Sequence, residues 1–224
     1  MRNACEGVLY PVDAAAIAAK ALEGTRRKAE SKGKDEGHAT TAEPSTRAER
    51  MAGQGSFYPY IMVPHASWET CRIELDGIFS ELAMTKGPKA KEEDGTRNEG
   101  LPERIFVLAP LHKGPIVGRP FEVYTPNDGA LQGSDWRIPL ETPRDILENT
   151  SVIQSDDVCT EEHSLEVIAP YLAVLYPSVP VCFLLAPEKD AKIDELKRTI
   201  GRFARNSIIF ISGNEETHCA DMWL

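Results

Sequence analysis

Three short segments, apolar throughout apart from a leading Arg104 or Ser207, constrain this chain more than any other feature: Arg104-Ile-Phe-Val-Leu-Ala109, Val181-Cys-Phe-Leu-Leu185 and Ser207-Ile-Ile-Phe-Ile211. A strand with one wet face alternates apolar and polar residues, whereas these runs do not, so each reads as a strand buried on both faces. Such strands belong to parallel sheets covered by helices. Helical spacing is present nearby. Between Trp68 and Ala83, residues Cys71, Leu75, Ile78, Phe79 and Leu82 form one stripe; between Lys192 and Arg205, Ile193, Leu196, Ile200 and Phe203 form another. The alternation predicts an α/β fold, with a mostly parallel central sheet and helices on both faces.

Weaker signals fill in the order. Asp13 can cap a helix running from Ala14 to Glu23, with Gly24 as its stop. Tyr58 to Val63, broken by Pro59, predicts a strand, and Phe121 to Thr125 another, closed by the turn signal Pro126-Asn-Asp-Gly. A helix is expected from Ser164, with Leu165, Ile168, Tyr171, Leu172 and Leu175 on one side and Pro170 inside it. Thr160, Glu161 and Glu162 would supply its cap and the charge of its first turn. Residues 24–55 and 86–100 are nearly free of large apolar side chains, so ordering them would cost entropy with little burial in return. Both are expected to be disordered insertions in a single domain spanning 1–224.

Charge narrows the function. Lys plus Arg number 25 against 35 Asp plus Glu, a formal charge of −10, which argues against a nucleic-acid partner. The longest apolar runs are too short to cross a bilayer, and the first residues lack the basic-then-apolar layout of a signal peptide. The 5 cysteines are odd in number and form no CxxC pair, so a disulfide framework is not expected and a cytoplasmic location is. Cys71, on a helical stripe, and Cys182, inside a strand, read as core residues.

The histidines carry the functional signal. His65 follows the strand ending at Val63, His112 follows the strand ending at Ala109, and His218 lies beyond the strand ending near Ser212. In an open parallel sheet the loops leaving the carboxyl ends of the strands share one edge, where ligands bind. Three imidazoles can therefore meet in one cleft, and His163, in Glu161-Glu-His-Ser-Leu-Glu166, is placed to join them. A neutral imidazole ligates a divalent metal or exchanges a proton near pH 7; the plainer alternative is a hydrogen-bonded loop histidine at each position. His38 falls in the first insertion and has no part in this pattern. Trp68 and Trp136 read as packing residues, with lining of the cleft as the alternative. Hydrolysis by Ser164 and His163 has little support, since neighbours in a helix do not face each other and no GxSxG elbow is present. Phosphate-binding glycine loops are also lacking.

Several segments, taken in order, resemble the Memo family, known in bacteria and archaea as AmmeMemoRadiSam system protein B. They are Gly7-Val-Leu-Tyr-Pro11 with Asp13; Ile61-Met-Val-Pro-His-Ala66; Arg104-Ile-Phe-Val-Leu-Ala-Pro-Leu-His112; Tyr124-Thr-Pro126; Glu162-His-Ser-Leu-Glu166 with Pro170-Tyr171; and Phe210-Ile-Ser-Gly-Asn214 through His218. The Glu-His-Ser block and the Pro-His strand end are the most specific. The resemblance implies a fold like the class III extradiol dioxygenases (LigB-like) and a histidine-lined cleft that takes iron or copper. It places His65 and His112 on metal ligands, and His163 and His218 on further pocket histidines. Ser67 stands where the family has Gly, Leu111 where it has Ser, and Ser212-Gly-Asn214 where it has Ser-Ser-Asp. The family's last ligand, a cysteine, has no counterpart before Leu224, so the chain reads as a truncated and divergent member lacking the C-terminal portion. Cys219, adjacent to His218, is the candidate to stand in for that cysteine.

Two functions follow. In the first, the protein is an iron- or copper-dependent oxidoreductase with His65, His112, His218 and Cys219 as metal ligands, and His163 or His218 as the proton carrier. Glu215 and Glu216 are further candidates for an anionic ligand, or else a solvated acidic loop. The unknown substrate is a small molecule or peptide. In the second, a non-catalytic module keeps the fold and binds a peptide or protein; by resemblance the partner is a radical-SAM or Ammecr-type protein.

Overall fold

The computed structural model describes residues 16–24, 60–64, 66–85, 101–112, 122–127, 129, 137–160, 162, 164–186 and 193–213. Six strands form one sheet: β1 (Ile61–Val63), β2 (Arg104–Pro110), β3 (Val123–Thr125), β4 (Val152–Gln154), β5 (Val181–Ala186) and β6 (Ser207–Ser212). Their order across the sheet is β1-β6-β2-β5-β3-β4. The first four in that order are mutually parallel. The β3–β4 pair, itself parallel, runs the other way and meets β5 through Tyr124 opposite Leu185. The described helices are α1 (16–24), α2 (Trp68–Thr85), α3 (Arg144–Asn149), α4 (Asp156–Thr160), α5 (Ala169–Leu175) and α6 (Ile193–Phe203), the last followed by a 3-10 turn over Ala204–Asn206.

The unbroken apolar runs do what their composition requires. Successive side chains of a strand point to opposite faces. In β2, Ile105, Val107 and Ala109 enter one core while Phe106 and Leu108 enter the other; β5 and β6 divide in the same way. The first core is closed by Ala18 and Leu22 of α1, by Trp68, Cys71, Leu75 and Phe79 of α2, and by Tyr171 and Leu172 of α5. The second is closed by Ile146 of α3 and by Ile193, Leu196 and Ile200 of α6, with Phe203 packed against it. Both helical stripes read from the sequence thus face the sheet, one on each side. The mostly parallel α/β architecture with helices on both faces is the observed one.

Local differences have physical causes. The helix expected from Ser164 begins at Ala169, with residues 164–168 in turns, so Pro170 sits in its first turn. Proline has no N–H to give and fits where the helix needs none. Thr160 ends α4 rather than capping a later helix. Of the short elements, α3 packs into the second core through Ile146 and α4 into the first through Cys159. The 86–100 insertion, and 24–55 apart from residue 24, lie outside the described residues, as do Asp13 and Trp136. Trp68 is a packing residue, 4% exposed, its ring stacked on Tyr171 with centroids 5.5 Å apart. Cys71 and Cys182 are buried free thiols. None of the described helices is long and apolar enough to cross a membrane.

Candidate functional site

The carboxyl ends of β1, β6 and β2 lie side by side. Val63 is paired with Ser212, and Leu108 with Ile211. Hydrogen bonding continues past the strands: Gly213 N–H donates to Val63 O at 2.9 Å, and Leu111 N–H to Ala186 O at 2.8 Å. Strands in a sheet are spaced by roughly 5 Å, so the ends of β1 and β2, with β6 between them, are about 10 Å apart. The segments that carry His65, His112 and His218 therefore start from three neighbouring strand ends on one edge. The sequence reading required the imidazoles themselves to meet in one cleft, and of the three the described residues hold His112.

Of the five predicted site residues, His112 is the one placed within the described part of the chain. His65, His163, His218 and Cys219 lie outside the described residues, as do Glu215 and Glu216. Among the described residues no group of three or more His, Cys, Asp or Glu side chains comes together as a metal cage.

His112 sits two residues past β2 with 35% of its side chain exposed, beside the buried carboxylate of Glu162. The backbone N–H of His112 donates to Oε2 of Glu162 at 2.6 Å, and Nδ1 of the ring lies 2.9 Å from Oε1. Oε1 also accepts the backbone N–H of Ser164 at 3.2 Å. Burial alone would raise the carboxyl of Glu162. Hydrogen bonds from the His112 ring and amide, the charge of that ring and the Ser164 amide outweigh it and hold the group down to about 2. An ionised carboxylate only accepts, so Nδ1–H is the donor and Nε2 is the ring nitrogen turned away from Glu162.

Ser164 anchors this arrangement to the sheet. Its Oγ–H donates to Pro110 O, at the end of β2, across 3.0 Å, and its own carbonyl accepts the Ser212 hydroxyl, at the end of β6, at 2.7 Å. Glu162, Ser164 and Ser212 are all buried. Polar groups hidden from water persist where they are satisfied, and these satisfy one another across two strand ends. The residue paired with His112, which sequence reasoning assigned to helix capping, is thus Glu162. Its partner is far off in the chain, so no local period marks it; the signal was the Glu-His-Ser block itself. Ser67 also has a structural task, for its carbonyl accepts the N–H groups of Thr70 and Cys71 in the first turn of α2, and its Oγ meets Thr70 Oγ1 at 2.8 Å. Leu111 packs into the first core.

The donor chemistry can be weighed from these contacts. A histidine that ligates a metal through one nitrogen commonly gives its other N–H to a carboxylate, and His112 with Glu162 is such a pair. The described part of the site therefore fits a divalent ion with His112 as one ligand. Cys159 is a buried free thiol whose ionisation is pushed far up by burial, and then by the charges of Asp156 and Glu162. No protein-family model matches the chain, and none of the curated proteins matches it.

Proposed function

We propose that this protein binds a divalent metal, iron or copper, at the carboxyl edge of its sheet, as a divergent relative of the Memo and LigB-like proteins. The observation that supports the reading best is the pairing of the buried Glu162 carboxylate with Nδ1 of His112, beside the ends of β1 and β6. In this reading His65 and His112 hold the metal, His218 and Cys219 complete the ligand set, and His163 or His218 carries protons. Two histidines with an anionic ligand and open positions suit non-haem iron, which would supply oxygen or redox chemistry when bound. The chain's own residues orient an imidazole, with Glu162 fixed beside Nδ1 of His112.

The second reading is a binding module without catalysis, taking a peptide or a protein of the radical-SAM or Ammecr type. Thermal unfolding with Fe(II), Cu(II) or Zn(II) separates the two. A ligand that binds only the native state raises the melting temperature. The metal reading expects a rise that disappears in the His65→Ala, His112→Ala double variant. No rise in the wild type, or an equal rise in both, excludes it and leaves the module.

A further inference from the structure

We infer that Glu162 is a positioning residue for His112: by holding Nδ1–H and the backbone N–H together, it presents Nε2 of that ring as the binding nitrogen. The inference deepens the metal reading and, as far as metal affinity goes, rests on it. Three features carry it. The two oxygens of Glu162 take both N–H groups of one residue, the main-chain amide at 2.6 Å and Nδ1 at 2.9 Å, so backbone and ring are fixed by a single carboxylate. Oε1 accepts the Ser164 amide as well, and a carboxylate already receiving backbone N–H groups acts as acceptor toward the ring. The segment bearing Glu162 is itself pinned, through Ser164, to Pro110 at the end of β2 and Ser212 at the end of β6.

A surface salt bridge would leave the ring free to turn, because exposed long side chains pay entropy to hold one geometry. Glu162 is 1% exposed. Its carboxylate cannot swing without parting from the buried Ser164 N–H and the part-buried N–H groups of His112, which is costly. The ring is consequently referenced to the sheet rather than to a loop, and the tautomer with Nε2 as acceptor is selected before any metal arrives.

The test uses the full chain with its imidazole rings labelled with nitrogen-15, observed by NMR in alkaline buffer where an ordinary imidazole is neutral. Zinc serves as a diamagnetic metal probe. The signal lost in His112→Asn identifies the ring. Wild type is expected to show Nδ1 protonated and Nε2 bare. Glu162→Gln, checked for folding by circular dichroism, is expected to give mixed tautomers and to weaken zinc binding roughly 10- to 100-fold. Glu162→Asp should recover part of both. A wild-type ring protonated at Nε2 overturns the inference, as does a folded Glu162→Gln protein with tautomer and zinc affinity unchanged. Should Glu162→Gln fail to fold, the wild-type and Glu162→Asp spectra decide. A wild type that binds no zinc overturns the metal reading, while the tautomer measurement still judges Glu162 independently.

Discussion

The hydroxyl of Ser212 donates to the carbonyl of Ser164 across 2.7 Å, joining the end of β6 to a segment 48 residues earlier in the chain. Because the Ser164 hydroxyl in turn donates to Pro110 O, one residue braces two neighbouring strand ends. Ser164→Ala removes the second of these bonds and leaves Pro110 O without it. Each buried hydrogen bond is worth about 1 kcal/mol, and a buried polar group left unsatisfied costs about 1–3 kcal/mol. Denaturant unfolding of Ser164→Ala should thus show a loss of about 1–3 kcal/mol; a change below 0.5 kcal/mol, of the order seen at ordinary surface sites, would show that the brace is not used.

Acid should attack the same place. The carboxyl of Glu162 falls from its ordinary 4.5 to about 2 in the folded chain. A depressed value means that the folded state favours the ionised form. Its contribution is therefore complete above pH 4.5 and is lost as pH falls from there through 2. Linkage sets that contribution at roughly 3 kcal/mol. Unfolding free energies of wild type and Glu162→Gln, measured between pH 7 and pH 2, should differ most at neutral pH and converge in acid. A constant difference across the range would remove the ionised carboxylate from the account.

Tyr171 and Asp76 provide a basic-side counterpart. The phenol donates to Asp76 Oδ1 at 2.6 Å, and burial, followed by Asp76 itself, raises its ionisation far above the usual 10. A raised value means that stability is complete below pH 10 and declines as pH climbs beyond it. Tyr171→Phe keeps the rings stacked and leaves Asp76 its ion pair with Arg72. It should cost about 1–2 kcal/mol at pH 7 and weaken the alkaline decline, as followed by urea unfolding at pH 7 and above 10.

Packing gives the largest expected loss. Phe79 is fully buried, stacked on Tyr171 with centroids 4.8 Å apart and tilted against Phe210 at 5.4 Å. Phe79→Ala should cost about 3–5 kcal/mol. On the same helix Ile73 is 79% exposed, and Ile73→Ala should stay within about 0.5 kcal/mol. Parallel denaturation curves of the two variants check that the stripe, rather than helix content, holds α2 to the sheet.

What could be read beforehand divides along physical lines. The β2, β5 and β6 runs and the stripes of α2 and α6 were legible because burial on both sheet faces, or on one helix face, leaves a short-range pattern. Each of those strands extends one residue beyond its expected end, to Pro110, Ala186 and Ser212. β4 left no such pattern, for only Val152 of its three residues is buried. Nor did the reversed direction of β3 and β4, which rests on pairing between distant segments. Glu162 escaped for the same reason: beside His163 it resembled helix-capping charge, whereas its carboxylate bonds both Ser164 and the distant His112. The strand ends that precede His65, His112 and His218 were legible, and of those three histidines the described residues hold His112.

Metal content is the most direct measure of the central claim, that imidazoles leaving neighbouring strand ends hold a metal. Anaerobically purified wild type should carry iron or copper, up to one equivalent per chain, and the His65→Ala, His112→Ala double variant should carry none. Equal metal in the two proteins, or none in either, contradicts it.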